Sequence, residues 1–137
     1  MPEGKTIDIL LIEDNQDDIF LTDLAIKECN INSKLITINN GKDAIDYLKK
    51  LNTSDKQLPA LILLDINLPA LTGHELLKKI KSESKIRSIP VVILTSSDSL
   101  SDINDCYKNG ADFYIRKPNS IKDLKKIMNE LKGRYSL

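Results

Sequence analysis

Long apolar runs, tryptophan, a second histidine and an excess of either charge are all missing from this chain, and cysteine and aromatic residues are scarce. No uninterrupted apolar stretch approaches the roughly 20 residues needed to span a bilayer, and the N-terminus has no basic stretch leading into an apolar core and cleavage site. These absences predict a soluble, cytoplasmic protein with no membrane partner. Lysine plus arginine number 20 and aspartate plus glutamate number 20, for a formal net charge of zero. The chain therefore carries no electrostatic signature of nucleic-acid binding, and partners must be recognised by local shape and chemistry. The two cysteines, Cys29 and Cys106, stand in segments of helical pattern without disulfide or zinc spacing, and are expected as reduced, buried or half-buried thiols. The single histidine, His74, reads as a surface residue at a helix start, and one imidazole without partners makes no metal site.

What is present fits one domain. At 137 residues the chain can bury roughly two-thirds of the surface its unfolded form exposes, and residues 1–137 leave no room for a second domain. Strand and helix signals alternate five times, the mark of a parallel sheet with helices on both faces. The predicted strands are 7–12, 34–38, 60–64, 90–94 and 112–115. Between and after them run apolar stripes at helical spacing: Phe20, Leu21, Leu24 and Ala25; Ala44, Ile45, Leu48 and Leu51; Leu76, Leu77 and Ile80. A fourth helix, about 99–109, has only a thin apolar edge of Leu100, Ile103 and Tyr107. The fifth carries Ile121, Leu124, Ile127, Met128 and Leu131, with Ser120 as N-cap and Gly133 as its stop. Its lysines, Lys122, Lys125, Lys126 and Lys132, read as a solvated face. Residues 52–59 form a polar surface connection.

Chemistry is expected where strands end. Leu61-Ile62-Leu63-Leu64 stops abruptly at Asp65, and Ile7 to Ile12 runs straight into Glu13-Asp14. A continuous aliphatic strand is buried on both faces, so its terminal side chain emerges at the carboxyl edge of the sheet, where open α/β folds keep their ligand sites. Three converging carboxylates repel one another and persist as anions mainly beside a cation. An all-oxygen set suits Mg²⁺. Taken singly, strand-terminal acids often do no more than cap strands and helices. The last two strands, however, also end in polar groups, Thr95-Ser96-Ser97 and Lys117-Pro118.

In that order and placement the set resembles the receiver domain of two-component response regulators. The resemblance covers about residues 6–133, and its motifs are Ile-Glu-Asp at 12–14, Leu-Leu-Asp-Ile-Asn-Leu-Pro at 63–69, Gly73, Pro-Val-Val-Ile-Leu-Thr at 90–95, Gly-Ala-Asp at 110–112 and Lys-Pro at 117–118. In detail, Leu-Asp-Ile-Asn-Leu-Pro and Ile-Pro-Val-Val-Ile-Leu-Thr-Ser-Ser look closest to small regulators encoded beside phytochrome-type sensor kinases. Glu13 stands where the family more often has Asp, and Thr72 where it often has an acid.

The resemblance implies a flavodoxin-like doubly wound (βα)5 sandwich, with five parallel strands in the order 2-1-3-4-5. It implies that Asp65 is a nucleophile accepting a phosphoryl group from a sensor histidine kinase or a histidine phosphotransfer protein. Asp14, Asp65 and the backbone carbonyl of Asn67 would ligate Mg²⁺, with Glu13 acting through a bound water or directly. Lys117 would help neutralise the transferring group. Thr95 would bond a phosphoryl oxygen after transfer and tilt the fourth helix, with Tyr114 following between outward and inward rotamers. Ser96 and Ser97 are small enough to leave room for phosphate, and the Lys117-Pro118 bond is expected to be cis. The expected product is a stand-alone signalling receiver without an effector domain and not a turnover enzyme. Its fourth helix, fifth strand and fifth helix would form the switching face for a target protein or a homodimer. The competing reading is a small Mg²⁺-dependent phosphohydrolase with an aspartate nucleophile, which is disfavoured because Asn67 stands where a second acid is wanted and the length hardly permits a substrate cap.

Overall fold

Runs of aliphatic residues bounded by turn formers become the strands, and capped amphipathic segments the helices. The computed structural model describes residues 6–137. Its elements are β1 (Ile7–Ile12), α1 (Gln16–Glu28), β2 (Ser33–Ile38), α2 (Gly41–Thr53), β3 (Leu61–Leu64), α3 (Gly73–Ser82), a 3₁₀ turn (Ile86–Ser88), β4 (Val91–Thr95), α4 (Leu100–Lys108), β5 (Phe113–Arg116) and α5 (Ile121–Tyr135). The strands are parallel and lie in the order β2-β1-β3-β4-β5. This is the doubly wound arrangement expected from the sequence, with β1 at its expected bounds, the starts of the other four strands displaced by one residue, and β4 and β5 ending one residue later. The 3₁₀ turn was not foreseen.

Alternate residues of the central strands feed two cores. Leu10, Ile12, Ile62, Leu64 and Ile93 pack with Ala44, Leu48, Leu76, Leu77 and Ile80 from α2 and α3. Ile9, Leu11, Leu61, Leu63, Val92 and Leu94 pack with Ala25 and Ile26 of α1 and Leu124, Met128 and Leu131 of α5. Burial on both sides is why these strands read as unbroken aliphatic runs instead of alternating ones. Register then brings the strand ends level. Ile12 lies beside Leu64 and Thr95 beside Arg116, so Glu13, Asp65, Thr95 and Lys117 emerge at one edge.

Five of the helices begin with a side-chain cap, from Asn15, Asn40, Thr72, Ser99 and Ser120. Several helix details differ from expectation. In α1 the face on the sheet is Thr22, Ala25 and Ile26, while Phe20 is 65% and Leu21 38% exposed. The seam follows the helical spacing from Ile19 through Thr22, Ile26 and Cys29, which the bulkier Phe20 and Leu21 obscure. In α4 the buried residue is Cys106, and Leu100 and Tyr107 face outward. The polar connection starts after Thr53, since α2 continues through Asn52 and Thr53. Gly133 does not stop α5, which ends at Ser136 in a left-handed conformation with its N–H on the Lys132 carbonyl. Tyr135 and Leu137 still pack on the core and carry the helix past the glycine, whose intrinsic penalty is only ~1 kcal/mol.

Candidate functional site

Asp65 follows β3 directly and is buried, 5% exposed. Each carboxylate oxygen has donors. Oδ1 accepts from the Asn67 N–H at 3.0 Å and from Thr95 Oγ1 at 2.8 Å, and Oδ2 faces Lys117 Nζ at 3.0 Å. Burial works to raise the Asp65 carboxyl, but the bonds from Asn67, Thr95 and Lys117 outweigh it and hold the group below its ordinary value. Asp65 is therefore an ionised, oriented carboxylate in a largely dry setting.

The Glu13 and Asp14 side chains reach the same spot from the end of β1. Carboxylate oxygens of Glu13, Asp14 and Asp65 all lie within 4.8 Å of one another, with Asp14 exposed and the other two buried. Glu13 Oε2 accepts from the backbone N–H groups of Asp14 at 3.0 Å and Asn15 at 3.1 Å. Its Oε1 meets Lys117 Nζ at 2.5 Å. Burial nevertheless pushes the Glu13 carboxyl up to about 7, with the Asp65 charge adding to it against the pull of Lys117. The donor set is all oxygen and carboxylate, and the charge of one member, Glu13, is disfavoured by burial and by Asp65, so the residues fit a hard divalent cation.

Lys117 follows β5 and is anchored through its backbone, whose N–H donates to the Thr95 carbonyl at 2.7 Å. Its ammonium also meets Asp18 Oδ2 at 2.7 Å. Those carboxylates hold the amine well above its usual value against the opposing effect of burial. Among the described residues there is no cis peptide bond, so the Lys117-Pro118 bond is trans, contrary to expectation. Trans is the intrinsically favoured isomer, and Lys117 reaches its partners with it.

Residues 13, 14, 65, 95 and 117 thus come together as expected, and the flanking groups are placed around them. Asn67 Nδ2 donates to Thr95 Oγ1 at 3.3 Å. Ser96 is exposed, whereas Ser97 Oγ donates to Asp102 Oδ2 at 2.6 Å. Tyr114 is half-buried, with its hydroxyl donating to the Ser97 carbonyl at 2.8 Å and its N–H to the Tyr107 hydroxyl at 3.1 Å.

Two residues escaped the sequence reading. Asp18, in the first turn of α1, has the same signature as any acid favoured by a helix N-terminus. His74 is not a free surface residue. Its Nε2 lies 2.9 Å from Asp102 Oδ1, and its Nδ1 3.7 Å from Cys106 Sγ, so it ties the start of α3 to α4. Bonds from Ser97 and then His74 hold the Asp102 carboxyl low, and burial with the charges of Asp102 and Asp105 pushes the Cys106 thiol up to about 11. Cys106 is an inert core thiol, and Cys29 is buried with its Sγ on the Lys125 carbonyl at 3.3 Å. No helix among the described residues is long and apolar enough to cross a membrane.

Residues 9–129 match the family model of the response regulator receiver domain. The chain is 39% identical over 124 residues to the probable methanogenesis regulatory protein FilR2 of Methanothrix harundinacea, covering 90% of this chain and 80% of that one. It is 34% identical over 126 residues to response regulator Rcp1 of Synechocystis, covering 91% and 86%. Among solved structures, the phosphorylated cyanobacterial phytochrome response regulator RcpA superposes with a TM-score of 0.85 at 33% identity, over 96% of this chain and 95% of that one. The Mn²⁺-bound form of Rcp1 gives 0.81 at 33% identity, over 93% and 92%.

Proposed function

We propose, for a chain that belongs to the response regulator receiver domain family of two-component signalling, that Asp65 is its phosphoacceptor and that the phosphorylated protein signals through the face made by α4, β5 and α5. The observation that carries this reading is the Asp65 carboxylate itself, ionised, level with two further acids, and gripped by Thr95 on one oxygen and Lys117 on the other.

The donor is a phosphohistidine on a sensor histidine kinase or a phosphotransfer protein. An Asp65 oxygen attacks phosphorus, the new O–P bond forms as the P–N bond breaks, and the electron pair returns to the imidazole nitrogen. Little covalent chemistry is left to the protein, so positioning and charge neutralisation do most of the work. Lys117 Nζ meets the equatorial oxygens, and Thr95 Oγ1, now on Asp65 Oδ1, turns to one of them after transfer. Glu13, Asp14, Asp65 and the Asn67 carbonyl would hold Mg²⁺, which supplies Lewis-acid stabilisation of the phosphoryl charge when bound. The Mn²⁺-bound form of the similar Rcp1 supports that assignment. Ser96 and Ser97, small residues directly after Thr95, would leave room for the phosphoryl group.

Output follows from the same bonds. When Thr95 moves toward the phosphoryl group it draws the loop carrying Ser97, and with it the Tyr114 hydroxyl and Asp102 of α4. Phosphorylation, which adds roughly −1.5 to −2 charge, shifts a pre-existing equilibrium of this face by its differential affinity for the two states. We read the 137 residues as one receiver unit acting by docking to a target protein or to a second copy, and as a signalling protein, not a turnover enzyme. Incubation with acetyl phosphate and Mg²⁺ should raise the intact mass by one phosphoryl group in wild type and not in Asp65→Asn. Equal labelling of Asp65→Asn would refute the assignment.

A further inference from the structure

An ammonium has three N–H donors. On Lys117 three carboxylates share them, Glu13 at 2.5 Å, Asp18 at 2.7 Å and Asp65 at 3.0 Å. Glu13 and Asp65 belong to the acidic set that would hold a divalent cation, which would then draw on their oxygens as well. Asp18 does not belong to it. It rises from the first turn of α1, where the Asn15 cap bonds its backbone N–H at 2.9 Å and fixes the start of the helix. Its side chain is 32% exposed, beside a cleft it shares with Lys117, Pro118 and Leu94.

From this arrangement we propose that Asp18 is a positioning residue for phosphoryl transfer, holding the Lys117 ammonium at the rim of the site so that it meets the incoming phosphoryl oxygens. The proposal rests on Asp65 being the phosphoacceptor. In the transfer from acetyl phosphate, the Asp65 O–P bond forms, the P–O bond to acetate breaks, and the electron pair leaves with acetate. Asp65 thereby gives up one of its two anionic oxygens. Asp18 then remains the one partner of Lys117 that neither the ion nor the phosphoryl group engages. Without it, the four-carbon stem of Lys117 is free to leave the attack geometry, and a reacting group held loosely loses rate without losing substrate affinity.

The test is labelling of the full chain by acetyl phosphate, with Mg²⁺ and donor each titrated to saturation. Asp18→Ala and Asp18→Asn should lower the saturating rate by about fivefold while half-saturating Mg²⁺ and donor concentrations stay within about twofold, the pattern of an interaction made in the transition state. Asp18→Glu should restore part of the loss. In a Lys117→Ala background, Asp18→Ala should have no further effect, because the two residues act as one unit. In the metal-free protein, the Lys117 ammonium resonance should be visible by NMR in wild type and broadened by water exchange in Asp18→Ala. An unchanged or faster saturating rate in both Asp18 variants, an additive loss in the Lys117→Ala background, or an ammonium signal indifferent to Asp18 would each overturn the proposal. Those results with Asp65-dependent labelling intact remove this inference alone. Wild-type labelling of Asp65→Asn removes the phosphoacceptor reading, and this inference with it.

Discussion

Replacing Glu13 by glutamine tests whether the acidic cluster is strained when no divalent cation neutralises it. Glu13 is 2% exposed, and burial carries its carboxyl from the ordinary 4.5 up to about 7 in the folded protein. The folded state therefore holds this proton more tightly than the unfolded chain. Its contribution to stability is fully present below 4.5 and is lost as pH rises through about 7. At ~1.4 kcal/mol per pH unit of difference, the loss between about pH 5 and about pH 8 is roughly 2.5 kcal/mol. E13Q cannot ionise, keeps an acceptor for Lys117, and should lack this slope. The assay is urea unfolding in a chelating buffer at both pH values, on wild type and E13Q. With a urea slope of about 2 kcal/mol per M, the wild-type midpoint should fall by ~1.2 M more than that of E13Q. Other titrating groups are common to both proteins and cancel. Saturating Mg²⁺ should remove most of the extra wild-type slope. Parallel midpoints for the two proteins across the pH range would refute the claim that Glu13 is held against its charge.

Gly73→Ala should destabilise the fold by about 1–3 kcal/mol and disturb the Asp65 loop, because an added Cβ would lie 2.5 Å from the Asp65 carbonyl oxygen and closer still to the Ile66 Cα. Chemical denaturation measures the loss, and unchanged stability would show that the loop gives way freely. His74→Ala removes the tie between α3 and Asp102 of α4, so amide exchange in α4 should quicken by an opening energy of about 1 kcal/mol while β3 stays protected. Equal exchange in α4 of variant and wild type would mean that the bond holds nothing.

The fold was legible because the central strands are buried on both sides and so spell unbroken aliphatic runs, as at Leu61–Leu64, each closed by a polar residue. Parallel pairing then forces those closing residues to one edge, which is why Glu13, Asp65, Thr95 and Lys117 could be gathered from positions far apart in the chain. What escaped depends on distance across the fold, which local pattern does not encode. Asp18 looks like an ordinary helix-start acid until β5 brings Lys117 to it, and His74 looks exposed until α4 lies alongside. The α5 terminus was misplaced because glycine propensity is weaker than the packing of Tyr135 and Leu137. Of the expected α1 stripe, Ala25 lies on the sheet, but Thr22 and Ile26 make the close approach beside it while the larger Phe20 and Leu21 remain outside, because burial follows the helix seam and not side-chain size.

Borohydride reduction of the acetyl-phosphate-treated protein, followed by peptide mass mapping, reads the phosphoacceptor directly, since an aspartyl phosphate is converted to homoserine at its own position. Homoserine at Asp65 alone, formed with Mg²⁺ and absent in chelator, is the expected result. Reduction at Asp14 or Asp18, or at no aspartate in labelled protein, would contradict it.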